Sequence, residues 1–157
     1  MSLNDYCARK LTAPIGNING LRGGTAAVER AAALLGSGLV GVVAYGSWAR
    51  GEAADSSDVD VLVVVDTGVA LSRALYRAWD ERPVTWEGRP VEVHFTHMPA
   101  GDERVGSVWA EAAIDGIVLF ERGVDVSSRL VAVRHDILAG RLVRRVVHGQ
   151  PYWAEVA

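Results

Sequence analysis

Between Tyr45 and Asp60 the chain reads YGSWARGEAADSSDVD, and the reading of everything around it follows from this joint. The residues that lead into it, LVGVVAY (39–45), form a short apolar run of strand length. The residues that leave it, VDVLVVV (59–65), are apolar except for Asp60, which predicts a strand covered on both faces. Asp58 and Asp60 stand two apart at the start of that second strand, so their carboxylates point the same way. Two carboxylates side by side repel, and desolvation beside an apolar strand adds to the cost. A divalent cation removes both penalties, and an oxygen-only donor set suits magnesium, which keeps positions open for phosphate oxygens and water.

The first half of the joint supplies a complementary feature. Gly46 lets the backbone turn sharply and approach a ligand closely. A short helix from Ser47 through Arg50 would present free N–H groups and a hydroxyl to an anion. A phosphate cradle is therefore expected one loop away from a metal-binding carboxylate pair, with Ser57 and Arg50 among its candidate contacts. Downstream, Val91, Val93 and Phe95 alternate with Glu92, His94 and Thr96, which is strand periodicity. Glu92 lies on the outward face of that strand, as a candidate third ligand or base.

Upstream of the joint, Thr25 is a candidate N-cap for a helix whose apolar stripe is Val28, Ala31, Ala32 and Leu35, ended by Gly36 and Gly38. Leu71, Leu75 and Trp79 recur every four residues and predict an amphipathic helix. Gly88-Arg89-Pro90 is expected to turn the chain into the Val91–Thr96 strand. Val105, Val108, Trp109 and Ala112 predict another helix, followed by a strand at Ile117–Phe120. A last helix is expected from about Ser127 to about Val147. The pattern is α/β (α+β), with a mixed central sheet of about four strands flanked by helices. Residues 1–23 read as an irregular arm, 24–123 as the core, and 124–157 as a C-terminal helix and tail, packed on the core or in an oligomer interface.

A chain of 157 residues fits one domain, and half of them are apolar, which excludes a disordered or fibrous class. The net charge of −3 gives no overall attraction to nucleic acid or an anionic membrane. A single cysteine, Cys7, excludes an internal disulfide framework and suits a reducing compartment. The N-terminus lacks an apolar stretch long enough for a signal peptide, and Val61–Val65 is far short of a membrane span, so a cytoplasmic location is expected.

Competing motifs fail on their context. GSGLVG (36–41) spells a dinucleotide fingerprint, but it follows a helix and precedes a strand, the reverse of what pyrophosphate binding needs. The only lysine, Lys10, is remote from any glycine-rich loop, which excludes a Walker loop. Ser47 lacks the glycine two positions ahead that a nucleophile elbow requires. His94 and His97 have an odd separation on a strand and so occupy opposite faces, which argues against a zinc pair.

Gly-Ser, ten residues, then Asp-x-Asp resembles the signature of the DNA polymerase beta-like nucleotidyltransferase superfamily. GSWARGEAADSSDVDVLVVVD looks especially like its minimal nucleotidyltransferase branch, and the resemblance extends through VEVHF and WAEAAIDGIVLFERG, roughly residues 25–123. It implies the nucleotidyltransferase fold and an attack by an acceptor hydroxyl on the α-phosphate of a nucleoside triphosphate, AMP being taken from ATP. Asp58 and Asp60 would hold two magnesium ions, Glu92 would hold one of them or accept the acceptor's proton, and Gly46 and Ser47 would hold the β- and γ-phosphates. Trp48 departs from the family, many members of which carry a basic residue there; Arg50 is the candidate substitute.

Relatives of this size imply a partner protein as acceptor, a HEPN-type toxin silenced by AMP, which would make this chain an antitoxin. Two alternatives stand beside this one: adenylylation of a small molecule, as in aminoglycoside nucleotidyltransferases, and a non-catalytic nucleotide- or partner-binding module of the same fold. The last predicted helix carries Arg129, Arg134, Arg141, Arg144 and Arg145 against Asp136, with more apolar surface than a small core needs. That excess favours an oligomer or partner interface over an RNA-binding face.

Overall fold

The computed structural model describes residues 22–101 and 103–156. Cys7, Lys10 and nearly all of the expected N-terminal arm lie outside the described residues. The order of elements is α1 (Arg22–Leu35), a single 3-10 turn (Gly36–Gly38), β1 (Leu39–Tyr45), the one-turn helix α2 (Gly46–Ala49) and β2 (Val59–Val65). There follow α3 (Arg73–Asp80), β3 (Thr85–Trp86), β4 (Arg89–His97), α4 (Ser107–Asp115), β5 (Ile117–Glu121), α5 (Asp125–Leu138), β6 (Leu142–Val147) and β7 (Gln150–Glu155).

Five strands form one mixed sheet in the order β3-β4-β2-β1-β5. β1 is antiparallel to β2 and to β5, whereas β2 and β4 run parallel, with Val59 opposite Val91 and Val65 opposite His97. The crossover between the parallel pair contains α3. The fifth strand, β3, is only two residues long, which is why the sequence suggested about four. Its hairpin turns at Glu87 and Gly88, both with positive φ, so Arg89 and Pro90 already belong to β4 rather than to the turn.

β2 explains the layering. Val59, Val61, Val63 and Val65 pack on one side with Ala31, Trp79 and Phe95, while Leu62 and Val64 pack on the other with Trp109, Ala112, Val126 and Leu130. Because helices cover both faces, every residue of β2 except Asp60 is buried. α1 lays Ala27 and Ala31, one turn apart, against the first side, and it starts early enough that Thr25 lies within it. The Arg30 guanidinium reaches the carbonyls of Ala78 and Trp79, which joins α1 to the last turn of α3. α3 is capped by Ser72, whose hydroxyl accepts from the Leu75 amide, so Leu71 falls outside the helix and is exposed.

The C-terminal segment departs most from expectation. α5 stops at Leu138, and residues expected to prolong it form a two-stranded hairpin, β6–β7. Gly140 adopts positive φ just past the helix, as a C-terminal cap does. Val143, Val146 and Val147 favour an extended backbone, and His148-Gly149, both with positive φ, make the two-residue turn. α5 shares the sheet's core through Val126, Leu130, Val133 and Ile137. The hairpin is held to α4 by Glu111, which accepts from Trp153 Nε1 at 3.1 Å and faces Arg144.

Candidate functional site

The C-terminal end of β1, the start of β2 and the start of β4 converge on one corner of the sheet. Tyr45 stands opposite Asp60, and Asp60 stands opposite Glu92, so the three side chains form a ladder across neighbouring strands on one face. The pleat dictates that face. Val59 and Val61 are fully buried on the α1 side, which turns Asp60 towards the α4 side; Asp58 precedes the strand and lies near enough to Asp60 to act on it electrostatically. Asp58 and Glu92 are exposed and Asp60 is partly buried.

The electrostatics of this corner are those of uncompensated negative charge. Burial raises the Asp60 pKa above its ordinary value, and the carboxylates of Glu92 and Asp58 raise it further, with Arg50 opposing. The Tyr45 hydroxyl is likewise pushed up, first by burial and then by Asp60, Glu92, Glu111 and Asp115. Among the described residues no group of three or more His, Cys, Asp or Glu side chains is gathered into a cage able to hold a metal ion by itself. Asp58, Asp60 and Glu92 are instead an open set of oxygen donors in excess negative charge. Magnesium tolerates such a set, because it takes one or two carboxylates and completes its shell with water and phosphate oxygens.

Gly46 sits against this cluster. Its φ is +80°, which favours glycine, and a Cβ there would displace Asp60 Oδ2, the free end of that side chain. The turn continues into α2, where the Arg50 amide donates to the Gly46 carbonyl and the Glu52 amide to that of Ser47. Trp48 anchors the helix from the other side, with its ring 4.4 Å from that of Trp86. The residue that departs from the family pattern is thus a packing residue.

Two residues that sequence reasoning missed hold the joint. Asp115, the last residue of α4, is 4% exposed and the one buried charged residue among those described. It accepts from the Gly46 amide through Oδ1 at 3.1 Å and from Arg50 Nη1 through Oδ2 at 2.7 Å. Burial raises its pKa, against the pull of Arg50 and the Gly46 amide. Arg50 also donates to Glu52 from Nε at 3.0 Å, so part of its fork is engaged within the protein. Arg89, at the start of β4, donates to the carbonyls of Ala54 and Ser57, which ties down the second half of the loop. Ser57 is thereby fixed through its backbone, next to Asp58. His94 is exposed on the Glu92 face, and the His97 ring is engaged 2.7 Å from the Val69 carbonyl.

The family model described as "Nucleotidyltransferase domain" matches residues 28–115, which span the joint, the acidic corner and Asp115. The chain belongs to the nucleotidyltransferase domain family. The resemblance read from the Gly-Ser and Asp-x-Asp spacing is thereby borne out at the level of the family. None of the curated proteins matches the chain. One similar solved structure, described as a toxin–antitoxin crystal structure with AMP-PNP, shares 15% identity over 72% of this chain and 88% of that one, with a TM-score of 0.43. No helix among the described residues is long and apolar enough to cross a membrane.

Proposed function

We propose that this nucleotidyltransferase moves AMP from ATP to a hydroxyl on a partner protein, with Asp58, Asp60 and Glu92 as its catalytic carboxylates. The observation that carries the reading is the ladder Tyr45–Asp60–Glu92, which puts a partly buried carboxylate beside the exposed one of Glu92 and next to the Gly46 turn. Asp58 and Asp60 would hold magnesium, as two ions, with Glu92 as a ligand of one of them or as the proton acceptor. Bound there, magnesium supplies the positive charge that neutralises the triphosphate and the departing pyrophosphate.

The chain's own residues account for the rest. Gly46 brings its backbone close to the phosphates, and Ser47 offers its hydroxyl to the β- and γ-oxygens. The acceptor oxygen attacks the α-phosphorus while the bond from that phosphorus to the bridging β-oxygen breaks. Pyrophosphate leaves with that electron pair, and the acceptor's proton passes to a carboxylate of the corner. Because Asp58 and Glu92 are exposed, an acceptor side chain presented by another protein has open access to them. A HEPN-type toxin is the partner that the resemblance favours, with this chain as its antitoxin and a reducing, cytoplasmic setting.

The test is incubation of the chain with magnesium, ATP labelled on the α-phosphate, and the protein encoded beside it. We expect label on the partner, pyrophosphate in solution, and neither with the Asp60→Asn variant. Absence of transfer to an intact partner with any of the four common nucleoside triphosphates would overturn the reading.

A further inference from the structure

We infer that Asp115 is a positioning residue for triphosphate binding, acting through Gly46 and Arg50 to hold the glycine–serine turn in register with Asp60. The inference rests on the reading of the acidic corner proposed above. Its starting point is that a buried anion stands where a helix disfavours one. Asp115 ends α4, where the helix dipole repels a negative charge, and its surroundings exclude water. A charge in that place is costly unless it is fully hydrogen-bonded. Both of its oxygens are, and the bonds go to the first residue of α2, Gly46, and to its C-cap, Arg50, 69 and 65 residues away in sequence.

The two bonds grip α2 at opposite ends. Oδ1 takes the amide of Gly46, the residue at which the backbone enters positive φ, and Oδ2 takes the side chain of Arg50, the residue that caps the turn. Between those points lies Ser47. On the far side of Gly46, without room for a Cβ, is Asp60 Oδ2. The Asp115 carboxylate thus sets how far the turn stands from the carboxylate that would bind metal. A helix of one turn has too few internal bonds to keep that distance itself. Packing alone would ask for an apolar residue here, as at the neighbouring Ala112 and Ala113.

The experiment compares Mg·AMP-PNP with AMP, which lacks the β- and γ-phosphates, as ligands of the wild type, Asp115→Asn, Arg50→Lys and Asp60→Asn. The isosteric amide keeps the volume of Asp115 but cannot accept at both oxygens. Arg50→Lys breaks the same link from the less buried partner, and thermal unfolding verifies that each variant folds. We expect Asp115→Asn and Arg50→Lys each to weaken Mg·AMP-PNP by about tenfold or more, with AMP, read by displacement, changed by less than about twofold. A merely structural role would lower both affinities together or neither. Folded variants with unchanged Mg·AMP-PNP affinity, or with equal losses for both ligands, would overturn the inference. If Asp60→Asn abolishes Mg·AMP-PNP binding while Asp115→Asn does not alter it, only the role of Asp115 fails. If the wild type itself does not bind Mg·AMP-PNP, the acidic corner has been misread and the inference falls with it.

Discussion

Gly46 and Asp60 meet so closely that the Asp60 carboxylate occupies the space a Cβ on residue 46 would need. The two residues come from the end of β1 and the start of β2, antiparallel neighbours whose connection is the 46–58 loop. Under the proposed reading, this close approach of backbone to carboxylate would let a phosphate oxygen and a cation share one small space. The same closeness makes the site intolerant of change.

Gly46→Ala should cost about 1–3 kcal/mol through a φ of +80° that alanine adopts with strain, and its Cβ would push the Asp60 carboxylate out of place. The expected outcome is loss of magnesium-dependent ATP binding in calorimetry, with a midpoint of thermal unfolding below that of the wild type. Wild-type binding by this variant would mean that the turn does not face the ligand.

Asp60 links stability to function in opposite directions. Its folded-state pKa is raised, so in the absence of metal the folded state binds the proton more tightly than the unfolded state. Stability is then greatest with Asp60 protonated and declines as pH rises from the ordinary carboxylate value through the raised one. Asp60→Asn should remove that decline and leave the metal-free protein at neutral pH more stable by up to about 1 kcal/mol, a figure kept small by solvent screening. The same variant should lose the increase in unfolding temperature that magnesium and ATP confer on the wild type. Unfolding curves across pH, with and without magnesium, would measure both effects; a destabilised metal-free Asp60→Asn would contradict them.

Trp86 tests the support beneath the Gly46–Ala49 turn. It is fully buried in the core, its ring lies 4.4 Å from that of Trp48 at a tilt of 51°, and it comes from a strand of two residues paired with β4. Trp86→Ala should cost about 3–5 kcal/mol in denaturant unfolding. Trp86→Phe should recover most of that loss, whereas a Trp48-to-phosphate contact would show up as an affinity change without a stability change.

Much of this corner was legible in the sequence because it depends on local periodicity. β1 and β2 have the bounds of their apolar runs, and the pleat alone sets the face of Asp60, while Asp58 falls just before the strand. Asp115 and Arg89 were not legible, since their partners are tens of residues away and only the folded chain brings them together. One signal did exist for Asp115: an acid closing the apolar helix WAEAAID conflicts with the helix dipole and so calls for a partner. Arg50, expected at phosphate, has partners the sequence did not reveal: Asp115 and Glu52 each take one edge of its guanidinium.

The C-terminal hairpin can be tested by the sign of one substitution. In a continuous helix from Ser127 to Val147, Gly140 would be an interior glycine, and Gly140→Ala would stabilise the protein by up to about 1 kcal/mol. In the observed fold Gly140 has φ +74° between α5 and β6, with open space where a Cβ would go. Only the backbone strain then remains, and the substitution should destabilise by about 1–2 kcal/mol. Chemical denaturation distinguishes the two directions without any need for ligand or partner. Glu111→Gln supplies an independent check, because it weakens the hold on Trp153 and Arg144 that only the hairpin brings to α4. We expect faster amide exchange in residues 142–155 of that variant, while β1 and β2 keep their protection; a helix continuing through 147 would not respond at Trp153 at all.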